Sequence, residues 1–410
     1  MSAEQSLRIR IIILQTSLMF FLLALSILTL GFTYVGWRLI APANLAAPWP
    51  MLAWLAWFGF MLLPPLALVL RLVRRTRSTN TLMSWLTYLS MGVLNYLFLL
   101  VLVRDVSGLL LWGMQKTAPA VFARATSPLL LDNAMQRRTL VHHTNVVILG
   151  LTSAIVLYAV YGARRRPRIV EVAIPFASLP EDLTSLRIVQ ISDLHVGPTI
   201  KRDFVERVVA QVQSLAPDII AFTGDLADGS VNDLRHEVEP LAKLSARYGK
   251  FFVTGNHEYY SGAEAWIAEV QRLGFTVLLN EHRVIQHGRS RVLLAGVPDF
   301  NAEHMLSHHH SDPTAAIANA PDTDLKILLA HQPRSIFAAA NAGFDLQLSG
   351  HTHGGQFFPW NLLVPLQQPF VKGLQRHQNT RLYISCGTGY WGPPLRLGAP
   401  AEVTVIRLNN

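Results

Sequence analysis

The residues of this chain best suited to chemistry lie in its second half, in five short polar blocks. They are Ser192-Asp193-Leu194-His195, Thr223-Gly224-Asp225, Thr254-Gly255-Asn256-His257-Glu258, Ala330-His331-Gln332-Pro333 and Ser349-Gly350-His351-Thr352-His353-Gly354-Gly355. Each block taken alone has an ordinary explanation. An Asp after a strand commonly forms a turn or caps a helix, and Gly-Asp and Gly-Asn pairs are turn formers. A single His more often completes a hydrogen bond than binds a metal. Together, the blocks donate Asp, His, Asp, Asn, His, His and His, and packing gives no reason for those types to recur at strand ends. Such a set can hold two divalent cations, with a carboxylate to bridge them. Mixed oxygen and imidazole ligation suits Mn, Fe, Zn or Co better than Ca, which takes oxygen ligands. His351 and His353 are alternate residues and point the same way on an extended segment. Gly350, Gly354 and Gly355 let the backbone come close to metals or substrate.

The elements that must position these blocks are legible in the surrounding pattern. Short apolar, β-branched runs recur at Leu186 to Ile191, Asp218 to Thr223, Lys250 to Thr254, Arg291 to Val297, Lys326 to Ala330, Asp345 to Leu348, Leu382 to Ser385 and Glu402 to Leu408. Their lengths and flanking turn residues predict buried strands. Asp203 to Leu215 and Ala263 to Leu273 show helical apolar spacing between them. This is an α/β layered domain, and polar residues at its strand ends are where a site is expected.

The first half reads differently. Four apolar stretches are long enough to cross a bilayer as helices: Ile11 to Trp37, Met51 to Leu70, Leu82 to Val103 and Asn145 to Ala163. Pro64-Pro65 should kink the second. Val106 to Met114 is too short to span and is placed at the membrane interface. The first stretch is long, lacks an obvious small-residue cleavage site and is followed by three more, so it reads as a span and not a signal peptide. Arginines flank the spans at Arg8 and Arg10, at Arg71, Arg74, Arg75 and Arg77, and at Arg164, Arg165, Arg166 and Arg168. With positive loops on the cytoplasmic side, all three clusters share one side and both termini face the cytoplasm. Lys116, Arg124, Arg137 and Arg138, in the stretch from Arg104 to Thr144, weaken that asymmetry. Asn95 is the clearest polar residue inside a span, and no Asp, Glu or Lys lies deep in one, which favours an anchor over a transporter. The boundaries expected are 1–166 for the transmembrane helical domain and 167–410 for the α/β domain.

Composition agrees. Of 410 residues, 51% are hydrophobic and 15% charged, against roughly a quarter charged in a typical soluble protein. The net charge of +9 is unevenly spread. Residues 1–170 carry 16 Lys and Arg against three Asp and Glu, a net +13, and the remainder nets −4. The α/β half therefore has no basic surplus for a nucleic-acid backbone, and no nucleic-acid partner is expected. The single cysteine, Cys386, cannot form an internal disulfide, which fits a cytoplasmic domain.

Asp-x-His, Gly-Asp, Gly-Asn-His-Glu, a lone His and Gly-His-Thr-His, in that order, resemble the calcineurin-like metallophosphoesterase superfamily. The Gly350-His351-Thr352-His353-Gly354-Gly355-Gln356 form, and the stretch from Gly387-Thr388-Gly389 to Gly392-Pro393-Pro394-Leu395-Arg396, resemble its bacterial membrane-associated branch. With the spans, the chain is similar to transmembrane proteins that carry such a domain. The resemblance covers roughly Leu186 to Leu408. It implies an α/β/β/α sandwich behind a four-helix transmembrane bundle. It also implies that Asp193, His195 and His353 bind one metal, that Asn256, His331 and His351 bind a second, and that Asp225 bridges both. His257 would sit beside the metals without binding them and protonate the leaving oxygen or hydrogen-bond the phosphoryl group, while a water activated by the cations attacks phosphorus.

The activity expected is hydrolysis of a phosphomonoester, phosphodiester or pyrophosphate by a membrane-anchored enzyme, with a lipid or lipid precursor as one candidate substrate. The resemblance extends to bacterial enzymes that cleave the pyrophosphate of nucleotide-activated acyl sugars. The alternatives are a metal-binding membrane scaffold without turnover and a transporter with a regulatory domain. The location expected is the inner (plasma) membrane, with a cytoplasmic catalytic domain. Three further features are open. Asp299 could orient a metal-binding His or form a turn. His304, His308, His309 and His310 read as a solvated loop. Arg396 could touch substrate phosphate or pair with a surface acid.

Overall fold

The computed structural model describes residues 19, 23, 25–73, 81–117 and 134–410, except for the side chains of 67–73 and 134–138. The first part of the first span, Arg8, Arg10, Arg74, Arg75, Arg77 and Arg124 lie outside the described residues, as do the side chains of Arg71, Arg137 and Arg138. The chain divides into two compact units, with the boundary between Leu157 and Tyr158.

Among the described residues four helices are long and apolar enough to cross a membrane, the last continuing past Leu157 into the second unit. They are α1 (Leu25–Ala43), α2 (Trp49–Val73, with Pro64 and Pro65 inside it), α3 (Thr81–Thr117) and α4 (Ala134–Arg164). Phe32, Val35, Leu94, Leu97, Val101 and Ile148 form the core of the helical unit. The structure corrects the reading of Val106 to Met114 as a separate interfacial run. That segment continues α3 without a break, so the third helix has 37 residues, and no proline interrupts it after Val103. Arg104 and Asp105, which looked like the end of a span, are paired inside the unit. Arg38 donates to both carboxylate oxygens of Asp105 at 2.6 Å, Tyr34 donates at 2.6 Å and Arg104 at 2.9 Å. Arg104 also donates to Asn145. A carboxylate neutralised in this way does not have to mark a water boundary.

The second unit is built on two six-stranded sheets. The first has strand order β1 (Arg168–Pro175), β12 (Glu402–Asn409), β2 (Arg187–Ile191), β3 (Ile219–Phe222), β4 (Lys250–Phe252) and β5 (Thr276–Val277). The second runs β10 (Gly373–His377), β11 (Thr380–Ile384), β9 (Leu346–Ser349), β8 (Leu325–Leu329), β7 (Ser290–Gly296) and β6 (Glu281–His287). Strand parity sets the layers. Ile188, Ile219, Ala221 and Phe251 face Val292, Leu294, Ile327, Leu329 and Leu348 in a core between the sheets. The alternate residues Val189, Ile191, Ile220 and Phe222 meet the helices α5 (Arg202–Ser214), α6 (Val231–Val238) and α8 (Ala263–Arg272). On the far side, Leu293, Ala295 and Leu328 pack with Ala316 of α9 (Pro313–Ile317) and Ala339 of α10 (Ile336–Asn341). The layers are therefore α/β/β/α. Strands buried on both faces read as continuous apolar runs, which is why all eight predicted strands are present.

Four strands escaped the sequence reading. β1 is an edge strand with charged, exposed positions, β6 and β10 are polar hairpin partners, and β5 has two residues. Strands β2, β3 and β4 of one sheet are parallel to one another, as are β7, β8 and β9 of the other. The loops leaving their C-terminal ends carry the five polar blocks.

Candidate metal centre

Each block leaves its strand by a tight turn, and several of these turns are strained. Asp193, His195, Asp225, His351 and His353 all have positive φ, between 50° and 72°. Side chains other than glycine pay about 1–3 kcal/mol each for such a backbone, and the cost persists only where the surroundings over-determine it. Here the turns hold one another. Asp193 N donates to the Gly224 carbonyl at 3.0 Å, His195 N to the Asp225 carbonyl at 3.1 Å and Gly350 N to the His331 carbonyl at 3.0 Å. Glu258, fully buried on α7 (Asn256–Ser261), accepts from Gly255 N at 2.7 Å, Leu226 N at 2.8 Å and Asp225 N at 3.0 Å. The approach is so close at Gly350 that a Cβ would stand 2.2 Å from Asp193 Oδ2.

All eight sequence-predicted site residues are brought to this one place. Nε2 of His195 and Nε2 of His353 face each other at 3.0 Å, and His353 Nε2 lies 3.5 Å from Asp193 Oδ1. On the other side, His351 Nδ1 faces His331 Nε2 at 3.2 Å, and His331 Nε2 lies 3.1 Å from Asp225 Oδ2. Asp225 stands between the two groups, with its Oδ2 also 3.7 Å from His195 Nε2 and its Oδ1 accepting from His257 N at 2.9 Å. Asp193, His195 and His353 form one cluster of potential ligand atoms, Asp225, His331 and His351 a second, and His195, Asp225 and His257 a third that shares members with the first two. Asn256 follows Gly255 at the same turn, and its buried Oδ1 has no hydrogen-bond partner.

The donor set fits divalent cations. Facing imidazole nitrogens at about 3 Å repel unless a proton or a cation lies between them. The remote nitrogens are already committed: His331 Nδ1 donates to the Thr223 carbonyl at 2.7 Å and His195 Nδ1 to Asp228 at 3.0 Å. Those bonds leave each Nε2 lone pair turned toward the cluster, as metal-ligating histidines require. Burial pushes His351 down to about 3, with the charge of His331 adding to it. Burial and then Arg396 hold His353 well below its ordinary range. Both are therefore neutral. Arg396 donates to His353 Nδ1 at 3.0 Å, so the His353 proton sits on Nε2, where a cation would have to displace it. Burial opposes a charge on His331, but the Asp225 carboxylate overrides it and raises His331 well above the ordinary range. A cation would take the place of that proton. The orphaned oxygen of Asn256 would gain a partner.

His257 differs from the others. Its Nδ1 lies 2.6 Å from Asp228 Oδ1, and its Nε2 is 4.0 Å from Asp225 Oδ2. The ring meets Trp391 at 5.7 Å and Tyr260 at 5.3 Å between centroids. Burial works against its charged form, but Asp225 and Asp228 raise it to about 9.

Sequence reasoning missed Asp228, which touches both His195 and His257. Its signal was weak: a carboxylate three residues after Asp225, before Gly229, in what looks like turn chemistry. Arg396 is not the surface or phosphate-binding residue anticipated. It is fully enclosed and donates to the carbonyls of Cys386 (2.6 Å), Gly389 (2.5 Å), His353 (3.1 Å), Ala399 (3.2 Å) and Gly387 (3.4 Å), and to His353 Nδ1 (3.0 Å). No feature of the sequence shows that five carbonyls turn inward there. Asp299 is buried and binds Gln332, beside His331, at 3.0 Å; it does not hold a histidine. Of the histidine loop, His308 and His310 are exposed beside Glu264 and Glu303. His309 departs from the solvated reading: it is buried, and its Nδ1 meets the Tyr259 hydroxyl at 2.8 Å.

A model of the calcineurin-like phosphoesterase family matches residues 186–355. A transmembrane protein with metallophosphoesterase domain from Danio rerio is 39% identical over 272 residues, which are 64% of this chain and 62% of that protein. An uncharacterized metallophosphoesterase of Helicobacter pylori is 37% identical over 269 residues, 64% of this chain and 70% of its own length. One from Aquifex aeolicus is 34% identical over 243 residues, 59% of this chain and 91% of its own length. The match thus spans less than two thirds of the Danio rerio relative.

Proposed function

Because this chain belongs to the calcineurin-like phosphoesterase family, we propose that it is a membrane-anchored phosphoesterase hydrolase working with two divalent cations. The observation that carries this reading is the two adjoining ligand clusters Asp193-His195-His353 and Asp225-His331-His351, buried but for the half-buried His351, with Asp225 between them and shared with His195 and His257 in a third. The division proposed is an anchor over 1–166 and a hydrolase domain over 167–410, drawn just past the end of α4; the second compact unit also takes in the last turns of α4 from Tyr158. Asp193, His195 and His353 would hold one cation, Asn256, His331 and His351 the other, and Asp225 both. When bound, such cations lower the pKa of water and neutralise charge on the phosphoryl oxygens.

The remaining work falls to this chain's own groups. His257, kept protonated by Asp228 and Asp225, faces the centre with Nε2. It is placed to give its proton to the leaving oxygen as water's oxygen bonds to phosphorus and the ester bond breaks. Asp228 fixes the ring orientations of His257 and His195. Positioning of this kind keeps both imidazoles aligned without further ordering during the reaction.

The reaction class remains broad: monoester, diester or pyrophosphate, since fold does not decide it. A phosphoester of a membrane lipid or lipid precursor is the candidate favoured by anchoring. The arginine distribution supports the inner (plasma) membrane with the domain on the cytoplasmic side. The test uses the full chain in detergent, stripped by chelator and reloaded with Mn, Fe, Zn or Co. About two metal equivalents per chain, counted by mass spectrometry, should accompany turnover of p-nitrophenyl phosphate or bis(p-nitrophenyl) phosphate. Metal uptake without turnover on either ester would leave a scaffold instead.

A further inference from the structure

The segment after His353 carries an apolar surface that the hydrolase site does not use. From 358 to 366 the sequence is Phe-Pro-Trp-Asn-Leu-Leu-Val-Pro-Leu, with no charged residue. Trp360, Leu362, Leu363 and Leu366 are exposed, Leu362 by 62% and Leu366 by 82%. Contiguous exposed apolar surface of this kind marks an interaction site. The segment is not loose chain. Two short 3-10 turns, Trp360–Leu362 and Val364–Leu366, close on backbone bonds from Trp360 N to the Phe357 carbonyl, Leu363 N to the Trp360 carbonyl and Leu366 N to the Leu363 carbonyl. A backbone that satisfies its own polar groups can enter an apolar medium at low cost.

The fold identifies the medium. The unit begins with the last turns of α4, the final membrane-length helix, and those turns pack on the loop that neighbours this segment. Arg396 N donates to the Ala159 carbonyl at 2.9 Å. Gly162 lies so close that a Cβ would stand 2.8 Å from the Arg396 carbonyl. The next residues, Leu397 and Gly398, bridge to Phe357. The end of a membrane helix, the Leu397-Gly398 turn and the apolar segment are therefore consecutive neighbours. Beside them Tyr158, Tyr161, Arg165 and Arg168 line a cavity of about 230 Å³ together with Leu397 and Pro400. Aromatic and cationic side chains are the composition of a membrane's headgroup level. On its other side the segment reaches the centre: Gln356 binds the Trp391 backbone in both directions, at 2.8 and 2.9 Å, and the exposed Trp391 lies against His257.

We propose that residues 358–366, with Trp391, seat in the headgroup–acyl boundary of the membrane that α4 crosses. The mouth beside His257 then opens onto the lipid surface, and the substrate is an amphiphile whose phosphoester head is drawn from the bilayer. The seating stands on the surface alone; the substrate class rests on the hydrolase reading.

The test places the full chain in phosphatidylcholine–phosphatidylglycerol vesicles. Cys386 is buried, so Leu362→Cys and Leu366→Cys can each be labelled with nitrobenzoxadiazole, with Arg289→Cys on the β6–β7 turn as the reference. Both loop labels should emit blue-shifted and lose about half their intensity or more to spin-labelled lipid, as interfacial side chains do; the Arg289 label should do neither. Water-like emission from the loop labels overturns the seating. So does shielding without lipid quenching, which would mean that protein, such as a second copy, covers the segment.

A Leu362→Asp/Leu366→Asp variant then tests the substrate class. It should keep wild-type turnover of bis(p-nitrophenyl) phosphate and lose about tenfold or more on hexadecyl p-nitrophenyl phosphate in vesicles, given the cost of seating charge in lipid. Equal rates on the vesicle ester, equal losses on both, or wild-type failure on the vesicle ester alone would overturn it. If the wild type cleaves neither ester while the labels are quenched, the hydrolase reading fails and the seating stands.

Discussion

Replacing Asp228 by Asn removes one negative charge and changes no side-chain volume to speak of. In the native site a single carboxylate oxygen, Asp228 Oδ1, lies 3.0 Å from His195 Nδ1 and 2.6 Å from His257 Nδ1. Both rings are thereby held with Nδ1 protonated and Nε2 turned to the centre. An amide oxygen in the same place can still accept both N–H bonds, but it carries no charge to strengthen them. The charged form of His257 and the fixed ring of His195 both lose the negative charge that holds them. A hydrogen bond to a charged group contributes about 1.5–3 kcal/mol, and outer-shell partners of metal-binding histidines are typically worth about 10–100-fold in affinity or activity. We therefore expect Asp228→Asn to weaken the first cation about 10–100-fold, leave the second bound, and lower kcat at saturating metal by about the same factor. Metal-binding titration followed by steady-state assay on bis(p-nitrophenyl) phosphate measures both. Unchanged affinity and unchanged kcat would refute the assignment of His195 as a ligand oriented by Asp228.

His257→Ala should retain its metals by mass spectrometry and lose about 10²–10⁴ in turnover, whereas Asp225→Ala should lose metal as well. Arg396→Ala leaves inward-facing carbonyls of Cys386, Gly389, Ala399 and His353 without their donor. It should lower stability by at least about 3 kcal/mol, read as a fall in Tm of roughly 6–12 °C for a unit of this size; an unchanged Tm would show that the loops hold without it. The Cys386 thiol, pushed up to about 12 by burial and then by Glu402, should react with iodoacetamide at pH 8 about a thousandfold more slowly than an exposed thiol. Rapid alkylation of the folded chain would show that the pocket opens.

Much of this was readable from local pattern, because the physics that writes the pattern is local. A strand buried on both faces has to be apolar at every position, so β2, β3, β4, β7, β8 and β9 stand out in the sequence. The polar residues that end them stand out for the same reason: nothing in packing calls for Asp193, Asp225 or His331 at those places. Spans announce themselves by length and hydropathy. Strand β1 was illegible because an exposed edge strand has no burial to impose a pattern. The break after Val103 was misplaced because the partners of Asp105 come from another helix, at Tyr34 and Arg38, and separation in sequence hides such neutralisation.

The sequence alone determined the chemical inventory and its order: eight side chains, five strand ends, an apolar half and a phosphoesterase half. Its residue types already carry the oxygen and imidazole donors of a divalent-metal site. Tertiary structure decided which groups share a partner and which face the same way. Only the converging parallel strands bring Asp225 between His195 and His331. Only the crossing loops bury Arg396 among five carbonyls, give Asp228 two histidines, and set the apolar 358–366 segment beside the last turns of α4. Those relations depend on distances between residues remote in the chain, and sequence spacing holds no measure of them.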